Sequence, residues 1–205
     1  YAEQNAAEIR EIVEVADLQS VVGRELATRA DFSRSETEVR ILMGEVDEVR
    51  HPYTGEIMLL RRDVSIPTQM YEYGTFFPSE TAPEGYYVLP EGEAAIERLE
   101  AHGITVLRHA TEREHVVQRF QIDSTRTNPN SFQGRNERTV WGEWVSATET
   151  LPVGTAYVSV DQPLGRLAFT LLEPRSDDGF VSWAILDEEI EGGTLPILRE
   201  SPGTR

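Results

Sequence analysis

Gln162-Pro-Leu-Gly-Arg-Leu-Ala-Phe-Thr-Leu-Leu-Glu-Pro174 is followed by Arg175-Ser-Asp-Asp-Gly179 and Phe180-Val-Ser-Trp183. The first segment reads as a buried helix bounded by prolines. Asp161 is its expected N-cap, Pro163 falls in the first turn where no N–H is needed, and Pro174 ends it. Leu164, Leu167, Ala168, Leu171 and Leu172 define the apolar face, with Arg166 opposite. The Ser176–Gly179 segment reads as an acidic turn that returns the chain to the core through Trp183.

Working outward, most of the remainder has a period of two. Val39, Ile41 and Met43 alternate with Arg40, Leu42 and Gly44, and after a turn at His51–Gly55 comes Ile57 to Val64, so a hairpin is expected. Tyr71 to Leu89, which contains Pro78, reads as strand, loop and a second strand at Tyr86 to Leu89. Gly92 to Ala101 predicts a helix closed by Gly103, with a strand from Ile104. Val116 to Ile122, Thr139 to Ala147, Ala156 to Val160 and Leu195 to Leu198 read as strands. Asp123 to Arg138 reads as a long exposed loop, because Asn128-Pro129-Asn130 and Gly134 interrupt it. Ile9, Ile12, Val13, Ala16, Leu18, Val22 and Leu26 predict an amphipathic helix within residues 3–29, with no evident partner in the chain. The fold class that follows is α+β: a β-rich, sandwich-like core, two or three helices and the N-terminal helix. Residues 1–30 are expected to be a linker or the tail of an upstream domain, and 31–205 the β-rich domain.

Thirty-six acidic residues face nineteen basic ones, all arginine, for a net charge of −17. Such a chain repels phosphate backbones, so nucleic acid is not an expected partner. The absence of lysine fits a GC-rich genome or adaptation to high salt. With no cysteine there are no disulfides, thiolate nucleophiles or Cys-bound zinc. No apolar run approaches the ~20 residues that span a bilayer.

Few motifs carry chemistry. His109-Ala-Thr-Glu112, with His115 nearby, has the spacing of a zinc-binding pair, but its dense charge reads as a solvated loop, and no histidine follows His115. Trp141-Gly-Glu143-Trp144 places its indoles on opposite faces of a strand, with Glu143 on the side of Trp141. Core packing is the ordinary account, and a sugar platform or interdomain contact the sharper one. The serines lack a nucleophile elbow, Gly192-Gly193 lacks a phosphate-loop lysine, and no carboxylate pair stands out among 36 acids. No catalytic residue, metal ligand or cofactor is assigned.

The Gln162–Pro174 and Ser176–Trp183 stretches resemble the C-terminal region of a group of secreted bacterial zinc carboxypeptidases. Ile41–Val46, Leu151–Thr155 and Pro196–Arg199 accompany them in the same order, so the resemblance covers roughly residues 38–200. In that family a His-x-x-Glu pair, a distant histidine and a general-base glutamate lie in an α/β catalytic domain, and none of them carries over to this chain. The resemblance therefore implies a secreted or periplasmic, non-catalytic domain that packs beside an upstream peptidase domain and shapes substrate access. The residues expected at a ligand or interdomain contact are Trp141, Glu143, Trp144, Gln162, Glu173 and Trp183. A glycan-binding module using Trp141 and Trp144, with a peptide or glycan as ligand, and an independent hydrolase stay open as alternatives.

Overall fold

The computed structural model describes residues 1–76, 79–191 and 193–201. Pro78 and Gly192 fall outside them. By contact the chain forms two compact units, one of residues 1–29 with 77–205 and one of residues 30–76.

The second unit is an antiparallel ribbon of β2 (Asp31–Arg50) and β3 (Ile57–Phe76), longer than alternation alone indicates. Its turn is held by the His51 ring, whose Nδ1 accepts from the N–H groups of Tyr53 (3.3 Å) and Thr54 (3.1 Å). Gly55 takes the positive φ that closes the loop.

The first unit opens with α1 (Ala6–Leu18), none of whose residues is buried. The helix stops well short of residue 29. Val21 and Leu26 are instead buried in the main core, and Leu26 lies in β1 (Glu25–Ala27), which pairs with β4 (Ser79–Thr81). A helical spacing of apolar residues thus continues, by coincidence, into a turn and a strand.

The centre of the unit is a six-stranded antiparallel sheet. It is built from β5 (Gly85–Val88), β6 (Leu107–Arg108), β7 (Arg113–Phe132), β8 (Arg135–Leu151), β9 (Ala156–Ser159) and β10 (Ile197–Glu200), in the spatial order β6-β9-β5-β10-β7-β8. Strand alternation sorts side chains to two faces. Tyr86, Val88, Phe120, Val140, Val158 and Ile197 meet the helices, while Tyr87, Val117, Leu151 and Leu198 form a smaller cluster on the other face. The helices are α2 (Glu93–Ala101), α3 (Gly165–Leu172) and the short α4 (Asp187–Glu191). The protein is an α+β, β-rich fold.

Asp123–Arg138 is not a loop. It completes the β7–β8 hairpin, whose connection is only Gln133-Gly134, both with positive φ as a two-residue hairpin turn requires. Asn128-Pro129-Asn130 is absorbed as a register shift between Thr127 and Ser131. A second shift follows Ile122, opposite Gly142, where a Cβ would come within 2.0 Å of the Gln121 carbonyl oxygen. Only glycine fits there. Little strand follows Ile104, which is buried; only Leu107 and Arg108 pair.

The helix at the centre of the sequence argument forms later than the residues suggest. Leu164, not Asp161, occupies the N-cap position, and Gly165 starts α3 against the Val160 carbonyl, which a Cβ would approach to 1.8 Å. The buried face is Gly165, Ala168, Phe169 and Leu172; Leu167 and Leu171 are only half-buried and Leu164 is exposed. Phe169 rather than Leu171 lies at the centre, because it shares the face on which Gly165 packs against the Val160 carbonyl. Phe180, Val181 and Leu186 carry the chain back into the core, whereas Trp183 stays half-buried at the surface.

Candidate functional site

Glu173 follows α3 with extended backbone, as the residue before a proline must be. Its side chain is fully buried beneath the sheet. Three strands bring donors to it: Tyr86 Oη from β5 (3.1 Å), Trp144 Nε1 from β8 (3.2 Å) and the Arg199 guanidinium from β10. Arg199 also reaches Glu80 of β4 (3.2 Å), which holds Arg175 in turn, and its guanidinium stacks 4.4 Å from the centre of the Trp144 ring. The result is a relay of alternating charge, Glu173–Arg199–Glu80–Arg175, that runs from core to surface. Burial pushes the Glu173 carboxyl up, while the Arg199 guanidinium beside it opposes that shift; burial pushes the Tyr86 hydroxyl well above its ordinary value. A buried carboxylate with three donors, one of them an arginine, is electrically satisfied. Its place in the arrangement is to lock β5, β8 and β10 to the end of α3.

On the opposite face, His109 and His115 lie with ring centroids 5.7 Å apart, and both contact Tyr87. His109 lies in the connection between β6 and β7, whose residues 110–112 are exposed as a solvated loop should be, and His115 lies in β7; both rings are nevertheless half-buried, and His109 Nδ1 and His115 Nε2 are buried atoms. Burial, then the charges of His115 and Arg113, hold His109 below its ordinary pKa. Tyr157 donates to Glu200 (2.6 Å), and Tyr87 is pushed up to about 12 by burial and by Glu200. Among the described residues, no group of three His, Asp or Glu side chains is placed to hold a metal ion.

The six residues singled out in the sequence do not converge on one site. Glu173 and Trp144 meet in the buried network. Gln162 is a clamp: its side chain accepts from Thr105 N (2.8 Å) and donates to the carbonyls of Ser159 (2.6 Å) and Thr105 (3.3 Å). Trp141 and Glu143 point to the face away from Trp144 and are exposed, Trp141 beside Arg29 and Arg175. Trp183 lies apart, against Phe132 at the tip of the β7–β8 hairpin, its Nε1 donating to Asp178 Oδ1 (3.3 Å).

The chain matches no family model, no curated protein and no solved structure.

Tyr86 and Arg199, partners of Glu173, and Glu80, which pairs with Arg199, are not evident in the sequence, because each comes from a different strand and no local spacing links them. The signal that existed was Leu-Leu-Glu-Pro itself, a carboxylate fixed in register with a buried helix face, which demands a buried cation somewhere. Phe132 was hidden by the loop reading of its segment.

Proposed function

We propose that this chain is a non-catalytic domain of a zinc-carboxypeptidase-like protein, secreted or periplasmic, that packs against the peptidase domain of the same polypeptide and shapes access to its active site. The observation that carries the reading is α1. Ile9, Ile12, Val13, Val15 and Leu18 are between 41% and 86% exposed, so the helix has an apolar side and nothing described in this chain buries it. A 13-residue helix is marginal in water without tertiary contacts, and a surface of the peptidase domain would hold it.

The residues that carry the resemblance support a structural role. Gln162 ties the entry to α3 to the loop at Thr105, Glu173 anchors the buried network, and Arg199 supplies its cation. A signature made of a clamp, a buried carboxylate and its counter-ion specifies a fold. It belongs to a domain whose task is to be rigid beside a neighbour.

The test has two parts. The polypeptide encoded ahead of Tyr1 should contain a His-x-x-Glu motif with a distant histidine. In that longer protein the α1 amides should exchange slowly with deuterium, and in the isolated chain rapidly. An unrelated upstream sequence, or fast exchange of α1 in both, would remove the proposal.

A further inference from the structure

We infer that the cleft between the tip of the β7–β8 hairpin and the Asp177–Trp183 segment binds a neutral pyranose sugar. The cleft encloses about 310 Å³, at the lower end of the size of small-ligand pockets. Two aromatic rings form its apolar walls: Phe132, 65% exposed, and Trp183, with centroids 6.3 Å apart and planes inclined at 51°. The separation and tilt are those of an ordinary aromatic contact, but unlike a core pair these rings lie at the surface, Phe132 exposed and Trp183 half-buried, so ring surface stays open to a ligand. A pyranose has an apolar C–H face for such a ring and an equatorial belt of hydroxyls that both donate and accept.

The polar lining matches that belt. The Asn128 and Asn130 side chains offer both donors and acceptors, and Asp177, Asp178 and Ser182 add further polar atoms. The walls are also fixed in advance, which lowers the ordering cost of binding. Trp183 is held by its bond to Asp178, the Ser182 carbonyl accepts from Arg138 N (3.1 Å), and Arg135 donates to the Ala184 carbonyl (3.4 Å).

Charge selects among sugars. A chain of net charge −17 with three carboxylates in the lining disfavours uronic and sialic acids. A basic side chain is the other candidate, since indoles attract cations. It is the weaker one here, because Glu137 is already paired with Arg29 (3.1 Å), Asp178 accepts from the Trp183 indole, and the Arg135 guanidinium stands in the same lining.

The experiment follows tryptophan fluorescence of the purified chain on addition of methyl β-D-glucopyranoside, methyl α-D-mannopyranoside or chitotriose, with Nα-acetylarginine amide as the cationic probe. A saturable change with at least one of the three sugars is expected. Phe132→Ser should weaken it about tenfold or more, with an unchanged urea midpoint because Phe132 is exposed, and Trp183→Leu should abolish it. Asp178→Asn keeps the oxygen that holds the indole and should leave sugar affinity within about threefold. No saturable change with any of the three sugars, or equal binding by Phe132→Ser, overturns the inference. So does saturation by the arginine probe that Asp178→Asn removes, which would make the ligand a basic side chain.

Discussion

Replacing Glu173 by alanine isolates what the buried relay contributes. The substitution takes one acceptor from three donors, Tyr86 Oη, Trp144 Nε1 and the Arg199 guanidinium, at a position with no solvent exposure. Removing one partner of a buried ion pair costs about 3–5 kcal/mol, chiefly because the remaining charge is left without compensation. Arg199 keeps Glu80 at 3.2 Å, which places the expected loss nearer the lower end; Tyr86 and Trp144 each lose a partner, which moves it up again. About 4 kcal/mol is the outcome, a large part of the ~5–15 kcal/mol available to a domain. With a urea slope of about 2–3 kcal/mol/M, the unfolding midpoint should fall by roughly 1.5–2 M. Glu93→Ala is the control. That carboxylate makes two hydrogen bonds to Arg108, at 2.6 and 2.9 Å, but its side chain is 46% exposed, so its loss should cost no more than about 1 kcal/mol. Replacing both Glu173 and Arg199 by apolar residues should recover part of the loss, since the orphaned charge goes with its partner. If Glu173→Ala were as mild as Glu93→Ala, water would have to reach the carboxylate, and the assignment of a sealed anchor would fail.

Leu172→Ala, at the fully buried end of α3, should cost about 2–5 kcal/mol, whereas Arg166→Ala on the exposed side should stay within about 0.5 kcal/mol; denaturant midpoints measure both. A chain beginning at Gln19 should keep the cooperative unfolding of the first unit, because α1 buries nothing described, while one beginning at Ser35 should lose stability by removing β1 with Val21 and Leu26. Circular dichroism melts of the two truncations decide this. His109 has its folded pKa below the ordinary value of about 6.5, so the native state binds fewer protons than the unfolded chain. Its share of stability is present above pH ~6.5 and is lost as the pH falls through the lower, folded pKa. Urea midpoints at several pH values should drop across that window, and His109→Gln should flatten the drop, leaving the later acid loss from Glu149, whose pKa Arg119 holds down.

Much of the architecture was legible because strand alternation and turn residues act locally. Val116 to Ile122, Thr139 to Ala147 and Ala156 to Val160 became strands, and Gly103, at φ +81°, ends α2 as a glycine just past a helix should. The errors arose where local chemistry was ambiguous. Gln133-Gly134 makes the hairpin turn with a glutamine where asparagine or aspartate is the usual signal, so the proline upstream was taken as the break. Val22 and Leu26 kept a helical spacing outside any helix. The site was harder still: Glu173 and Gln162 were singled out, yet the three partners of Glu173 lie 26 to 87 residues away along the chain and Thr105 lies 57 residues from Gln162, and tertiary structure alone brings them together. Trp141, Trp144 and Trp183 were all singled out, but the partner of Trp183 is a phenylalanine from a segment with no aromatic pattern.

The position of β10 bears on how such a chain is made by a ribosome. The last of the sheet's strands to be synthesised sits between β5 and β7, so until residues 197–200 leave the exit tunnel, the β6-β9-β5 group and the β7–β8 hairpin have no hydrogen bonds to one another through the sheet. The same strand delivers Arg199, the one cation paired with the Glu173 carboxylate among the described residues. A nascent chain stalled before β10 is therefore a pair of open-edged fragments with an unneutralised acid where the core should close, the kind of species that holdase chaperones retain and proteases clear. Closure of the sheet therefore waits on the synthesis of β10, and truncated products that end before residue 197 should be recognised as unfolded.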